Sequence, residues 1–262
     1  MSADSVLVVI PARYPSTRFP GKPLADLNGK PMVQHVWERA VAAKRPSRVL
    51  VATDDTRIAE VVRRFGGEVM MTASTHRTGT ERVAEVAEQF PAELVVNLQG
   101  DLPLFRPETL DRLIEIGGES IRRREADLIT AKSAMMNEEE IFSPHTVKVV
   151  TDHRDHALYF SRSPIPYAER GQLGASGQSG SFLFYKHYGI YLYHKTFLIQ
   201  VARSPEGKLE RKERLEQLRV LEQGGRVRVI EIGEGEARFF WEVNTPEDML
   251  RAREILANEG KA

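Results

Sequence analysis

The chain has 262 residues, and its 37 Lys+Arg balance 37 Asp+Glu, for a formal net charge of zero. That balance argues against a nucleic-acid binder, which carries a basic excess, and the absence of cysteine removes disulfides, thiolate zinc sites and a cysteine nucleophile. No apolar run reaches the ~18 residues of a membrane span, and the first residues lack a basic n-region and a long apolar h-region, so the sequence predicts no signal peptide, no membrane association and a cytoplasmic protein.

The chain opens on an uninterrupted β-branched run, Val6 to Ile10, which predicts a strand buried on both faces, as in a parallel sheet. A Pro- and Arg-rich loop follows, from Pro11 to Pro31. Val33, Val36, Trp37, Ala40 and Val41 then mark one apolar face of a helix. Arg48 to Ala52 reads as a second strand, Ile58 to Phe65 as a second helix ended by Gly66-Gly67, and Val69 to Met71 as a short third strand. Val83, Val86, Ala87 and Phe90 mark a third helix, and Leu94 to Leu98 a fourth strand. This alternation predicts βαβ crossovers and a doubly wound, mostly parallel sheet, with ligands at the carboxyl ends of its strands.

The pattern changes after about residue 130. Thr146 to Val150, Ala157 to Phe160 and Tyr188 to Tyr193 read as strands, and the Gly/Ser/Gln-rich stretch from Gly171 to Ser181 as a loop. Leu209 to Gln223 reads as one helix and Val227 to Ile232 as a late strand. Thr245 as N-cap, Pro246 and two acids predict the start of a last helix. One domain with an inserted middle lobe is the expected organisation.

The loop after the first strand is the most informative segment. It places Arg13, Arg18 and Lys22 within ten residues, beyond the carboxyl end of a buried strand. Such cations repel one another unless an anion sits among them, and the backbone N–H groups of the loop can cradle phosphate oxygens. The competing interpretation is a solvated surface loop; its place at the expected ligand edge favours the phosphate. It is not a P-loop, because Pro23 follows Gly21-Lys22, and no G-x-G-x-x-G follows any strand. Asp101 lies just past the fourth strand, where a carboxylate facing the cationic loop suits Mg²⁺ bridged to phosphates. Asn244 could offer an amide oxygen to a cation, or serve simply as a turn residue before the last helix. The seven histidines form no zinc pattern.

The run from Ile10 to Leu24, Ala52-Thr-Asp-Asp55, Thr78-Gly-Thr-Glu-Arg82, Asn97-Leu-Gln-Gly-Asp101, His187-Tyr-Gly-Ile-Tyr191, Leu215 to Leu221 and Asn244-Thr-Pro-Glu-Asp248 together resemble the CMP-Kdo synthetases, the 3-deoxy-manno-octulosonate cytidylyltransferases. The resemblance spans nearly the whole chain. It implies a single nucleotidyltransferase-type domain over residues 1–262, with an inserted β-rich sugar-binding and dimerisation lobe at about 130–205. It implies a cytoplasmic, Mg²⁺-dependent homodimer that uses CTP and a 2-keto-3-deoxy sugar acid for lipopolysaccharide synthesis. By the same resemblance, Arg13, Arg18 and Lys22 would hold the triphosphate, with Ala12, Ala52, Asp54, Thr80, Arg82 and Gln99 around the nucleotide. Arg77, Gln99, Arg162, His187, Tyr191, Glu210 and Glu213 would face the sugar acid, and Asp101 and Asn244 the metal.

Two positions depart from the family pattern. Leu102 stands where the family has Glu, and Asn244 stands where the family has the second metal carboxylate. An amide coordinates through oxygen but brings no charge. These departures leave room for a related acid, such as an amino-Kdo or a sialic-acid-like sugar, or for a silent nucleotide-binding relative.

Overall fold

Strand β1 (Val6–Ala12) is buried at every residue. Val6, Val8 and Ile10 enter one hydrophobic core, while Leu7 and Val9 enter the other. A strand flanked by two cores has to be apolar throughout, which is why this segment shows no alternation. The structure is a computed structural model that describes residues 5–15, 19–135, 137–171, 178–179 and 182–259.

The first half follows the expected winding. Helix α1 (Met32–Ala42), strand β2 (Arg48–Thr53), helix α2 (Thr56–Arg64), strand β3 (Val69–Met71), helix α3 (Gly79–Gln89) and strand β4 (Leu94–Leu98) succeed one another. β1 pairs in parallel with β2 on one side and with β4 on the other, and β3 pairs in parallel with β2. Asp55 caps α2, and Thr78 caps α3 by accepting from Glu81 N.

Helix α4 (Pro107–Arg122) then leads to strand β5 (Leu128–Ala134). After a hairpin of β6 (Lys148–Thr151) and β7 (Ala157–Ser161), the long strand β8 (Tyr185–His194) enters the main sheet between β4 and β5, antiparallel to both. Helix α5 (Lys195–Arg203), helices α6 (Lys208–Glu213) and α7 (Leu218–Glu222), strand β9 (Val227–Glu231) and helix α8 (Pro246–Glu259) complete the chain. The main path through the sheet reads β9-β5-β8-β4-β1-β2-β3, with β6 attached to β8. Thus β5 and β8 belong to the central sheet, and the β6–β7 hairpin between them branches from it at β8. Six of the expected loop residues, 172–177, lie outside the described set, as do 180 and 181.

The single helix expected over 209–223 is two helices. Arg214 adopts a left-handed conformation, φ 57°, which ends α6 and lets the chain run across the site before α7 begins. Helix α4 was hidden by Gly117-Gly118. A Cβ at Gly117 would lie 2.9 Å from Ile129 and Leu192, and one at Gly118 2.9 Å from Leu94. The pair lets the helix sit against the sheet at the cost of helix propensity.

Candidate active site

β1 and β4 are neighbours whose crossovers leave in opposite directions, so the crevice beyond their carboxyl ends is a switch point of the sheet. Gly100 keeps it narrow. A Cβ there would lie 2.8 Å from Pro11 O.

A cavity of about 420 Å³ opens at this point, lined by Ala12, Arg13, Lys22, Arg77, Gln99 and Asp101 among others. Arg13 donates from Nη1 to Arg77 O at 2.9 Å and from Nη2 to Thr78 O at 2.6 Å, which fixes its guanidinium at the rim. Its pKa is lowered, first by burial and next by the Arg82 charge. Lys22 Nζ donates to Asp101 Oδ2 at 2.8 Å and to Val243 O at 2.9 Å. That contact joins the loop after β1, the turn after β4 and the strand-like stretch before α8. Arg18 lies outside the described residues.

A smaller cavity of about 160 Å³ adjoins through Gln99 and Asp101 and reaches His187, Gly189, Tyr191, Glu216, Gln217 and Glu242. Gln99 Nε2 donates to Asn97 Oδ1 at 3.0 Å. The Tyr191 hydroxyl donates to Gln217 Oε1 at 3.2 Å, and burial keeps it a phenol, far above the usual tyrosine range.

His187 is buried and pushed down to about 3 by burial, so it is neutral under ordinary conditions. Thr130 Oγ1 lies 2.8 Å from His187 Nε2, and the same hydroxyl donates to the Ile190 carbonyl at 2.8 Å. With its one proton so engaged, the hydroxyl accepts from His187, which assigns the Nε2–H tautomer. His187 therefore contributes shape and a fixed dipole, and no charge.

Several expected residues lie off these cavities. Ala52 is wholly buried inside β2. Arg82 is wholly buried, 3.2 Å from Asp54, with a further bond to Thr72. Thr80 is buried, and its side chain bonds the Tyr193 phenol. These residues brace the wall behind Arg13.

Glu213 accepts from Ser161 Oγ at 2.8 Å and from Arg162 N at 2.9 Å, while Arg162 Nε donates to Glu213 O at 2.9 Å. The pair ties the end of β7 to α6 beside the smaller cavity. Glu210 does not reach either cavity. Both its oxygens are taken by Arg219, at 2.7 Å and 2.6 Å.

Three residues of the site were not singled out in the sequence. Glu216 accepts from Gly79 N at 3.3 Å and Thr80 N at 3.0 Å, so its carboxylate sits on the N-terminus of α3. Gln217 lies beside it. Glu242 accepts from Gly189 N at 2.7 Å. Its carboxyl is raised to about 7, first by burial and next by the charge of Asp101. Glu216 fell inside the single helix expected over 209–223, so its place after the break at Arg214 was visible only in the structure. Glu242 precedes the expected Asn244 by two residues, and both line a third cavity of about 530 Å³. Among the described residues no group of three or more His, Cys, Asp or Glu is placed to hold a metal, and no helix is long and apolar enough to cross a membrane.

Residues 7–232 match the family described as cytidylyltransferase. A 3-deoxy-manno-octulosonate cytidylyltransferase of Geobacter sulfurreducens is 48% identical over 255 residues, covering 96% of this chain and 99% of that protein. The protein of the same description from Trichlorobacter lovleyi is 46% identical, with 96% and 98% covered. The solved structure of a CMP:2-keto-3-deoxy-manno-octonic acid synthetase complexed with CTP is 39% identical, with a TM-score of 0.84, covering 97% of this chain and 99% of that one. A 4-diphosphocytidyl-2C-methyl-D-erythritol synthase structure from Anaerococcus prevotii, 14% identical with a TM-score of 0.59, shares the fold. The chain belongs to the cytidylyltransferase family, among the 3-deoxy-manno-octulosonate cytidylyltransferases.

Proposed function

We propose that this protein transfers CMP from CTP to the anomeric hydroxyl of 3-deoxy-manno-octulosonate, releasing pyrophosphate, for lipopolysaccharide synthesis. The observation that carries this reading is the convergence of Arg13, Lys22 and Asp101 on one cavity at the sheet's switch point. The CTP complex of the 39% identical relative supports it.

In the reaction the sugar oxygen forms a bond to the α-phosphorus, the bond to the β-phosphate oxygen breaks, and the hydroxyl proton is lost to solvent. Such displacement needs positioning and charge neutralisation more than covalent help. Arg13 and Lys22 offset charge on the departing pyrophosphate. The lowering of Arg13, by burial and then by the neighbouring Arg82 charge, suits a site completed by an anion. Gln99, Tyr191, Glu216 and Gln217 present hydrogen-bonding groups to a polyhydroxy acid in the adjoining cavity. His187 is neutral there and does not act as a base.

The oxygen cluster at the junction fits a divalent cation, since it already holds one cation, the Lys22 ammonium, on Asp101 Oδ2 and Val243 O. Asp101 and the Asn244 amide are oxygen donors suited to Mg²⁺. Such an ion would lower the pKa of the attacking hydroxyl and draw charge from the α-phosphate. We place the protein in the cytoplasm, where CTP is made. We also assign dimer contact to the lobe between β5 and β8, where Leu158 and Tyr167 are 64% and 84% exposed.

The test is pyrophosphate release with CTP and Mg²⁺ across a panel of 2-keto sugar acids. Release with 3-deoxy-manno-octulosonate above the others is expected. Release with none of them refutes the reading, and preference for an amino-substituted or sialic-acid-like sugar reassigns the acceptor.

A further inference from the structure

We infer that Lys148 is a positioning residue for the sugar acid: by binding three main-chain carbonyls it holds the outer wall of the 160 Å³ cavity in place. The inference rests on the reaction proposed above and gives its acceptor cavity a residue that does not line it.

Lys148 opens β6, and its side chain is wholly buried. Nζ donates to Ser143 O at 2.7 Å, to Thr146 O at 2.6 Å and to Arg162 O at 2.6 Å. An ammonium has three protons, and each is taken by a carbonyl. Burial first, and the Arg162 charge next, pull its pKa down to about 8, with Glu213 acting the other way. It therefore keeps its third proton at neutral pH.

The three carbonyls come from two segments. Residues 143–146 lead into β6, and Arg162 follows β7. Arg162 carries the tie further, from Nη1 to Pro144 O at 3.0 Å and from Nε to Glu213 O at 2.9 Å. Two cations thus lash together the lead-in to β6, the end of β7 and the end of α6. The lashings end one residue short of the cavity. Val147 follows Thr146 and Arg214 follows Glu213, and both Val147 and Arg214 line the cavity beside His187. His187 N donates to Val147 O at 2.8 Å, which joins the same wall to β8.

An apolar side chain of this length would fill the space with no charge to desolvate. It would leave three convergent carbonyls without a donor and nothing to set the separation of the two segments. Holding that separation is what the ammonium adds to packing.

The test compares Lys148→Met and Lys148→Gln with the wild-type chain at neutral pH, well below the melting temperature. Methionine removes every donor, while glutamine keeps two donor protons. KM for 3-deoxy-manno-octulosonate should rise about tenfold in Lys148→Met and by less in Lys148→Gln, with KM for CTP changed by less than about twofold. A lysine that only stabilises the fold would lower Tm and move neither KM. That result, or an equal rise in both KM values, overturns the inference. If Lys148→Met does not fold, Lys148→Gln decides. Hydrogen exchange of the ligand-free chain gives a readout without turnover. The amides of His187 and Arg162, bonded to Val147 O and to the Glu213 carboxylate, should exchange about tenfold faster in Lys148→Gln, while that of Thr72, bonded to Thr53 O, keeps its rate. Unchanged exchange at His187 and Arg162 also overturns the inference. Absence of pyrophosphate release with every sugar acid refutes the proposed reaction, and the exchange rates then decide this inference alone.

Discussion

Glu210 offers a direct test of how the site is divided between scaffold and substrate contacts. Its carboxylate forms a two-pronged pair with Arg219, Nε to Oε2 at 2.7 Å and Nη2 to Oε1 at 2.6 Å. The side chains are 5% and 2% exposed. Arg219 Nη1 also donates to Val201 O at 3.2 Å, and Glu210 Oε2 accepts from Gly207 N at 3.0 Å. Removing one partner of such a pair leaves a buried charge uncompensated, at a cost of about 3–5 kcal/mol. For a chain of this size that corresponds to a fall in Tm of roughly 10 °C. Glu210→Gln should show this fall by scanning calorimetry, while KM for the sugar acid, measured well below the melting temperature, changes by less than about threefold. Replacing the pair together, as Glu210→Leu with Arg219→Met, should recover most of the stability. An unchanged Tm combined with a KM raised tenfold or more would place Glu210 on the sugar and refute the reasoning.

Two further outcomes follow from the site. His187 is neutral when folded down to about pH 3 but takes up a proton near pH 6.5 when unfolded. The unfolded state therefore binds more protons in that window, and stability rises with pH across it. Between pH 7 and pH 5 the wild-type chain should lose about 2 kcal/mol more than His187→Gln in urea unfolding, and equal losses would contradict the burial argument. Lys22→Met removes the ammonium shared by Asp101 and Val243. It should lower kcat/KM for CTP by about two to three orders of magnitude, and a loss below about tenfold would remove Lys22 from the phosphate site.

The sequence made the first half of the fold legible because each strand there is a continuous apolar run and each helix an amphipathic one. β1 through β4 and α1 through α3 lie where the pattern puts them. The pattern failed where a second constraint overrode it. Gly117-Gly118 concealed α4 because close packing on Ile129, Leu192 and Leu94 matters more there than helix propensity. Leu209 to Gln223 looked like one helix because Leu215, Leu218 and Leu221 recur at helical spacing, yet Arg214 breaks it. The cationic loop and Asp101 were legible from their place after buried strands, a property of sequence order alone. Their partner across the cavity was not, because Val243 reaches Lys22 over 221 residues.

The choice among the glutamates shows what kind of information was missing. Glu210, Glu213 and Glu216 lie within seven residues and differ little in local sequence. Tertiary contacts separate them. Arg219 claims the first and Arg162 with Ser161 the second. Those two clamps hold the ends of the break at Arg214, so the chain between them is pinned over the crevice and Glu216 is delivered to the first N–H groups of α3. There the helix dipole favours its charge, and it borders both the 420 Å³ and the 160 Å³ cavities. Glu210 and Glu213 therefore act on the site through geometry, by fixing where Glu216 stands.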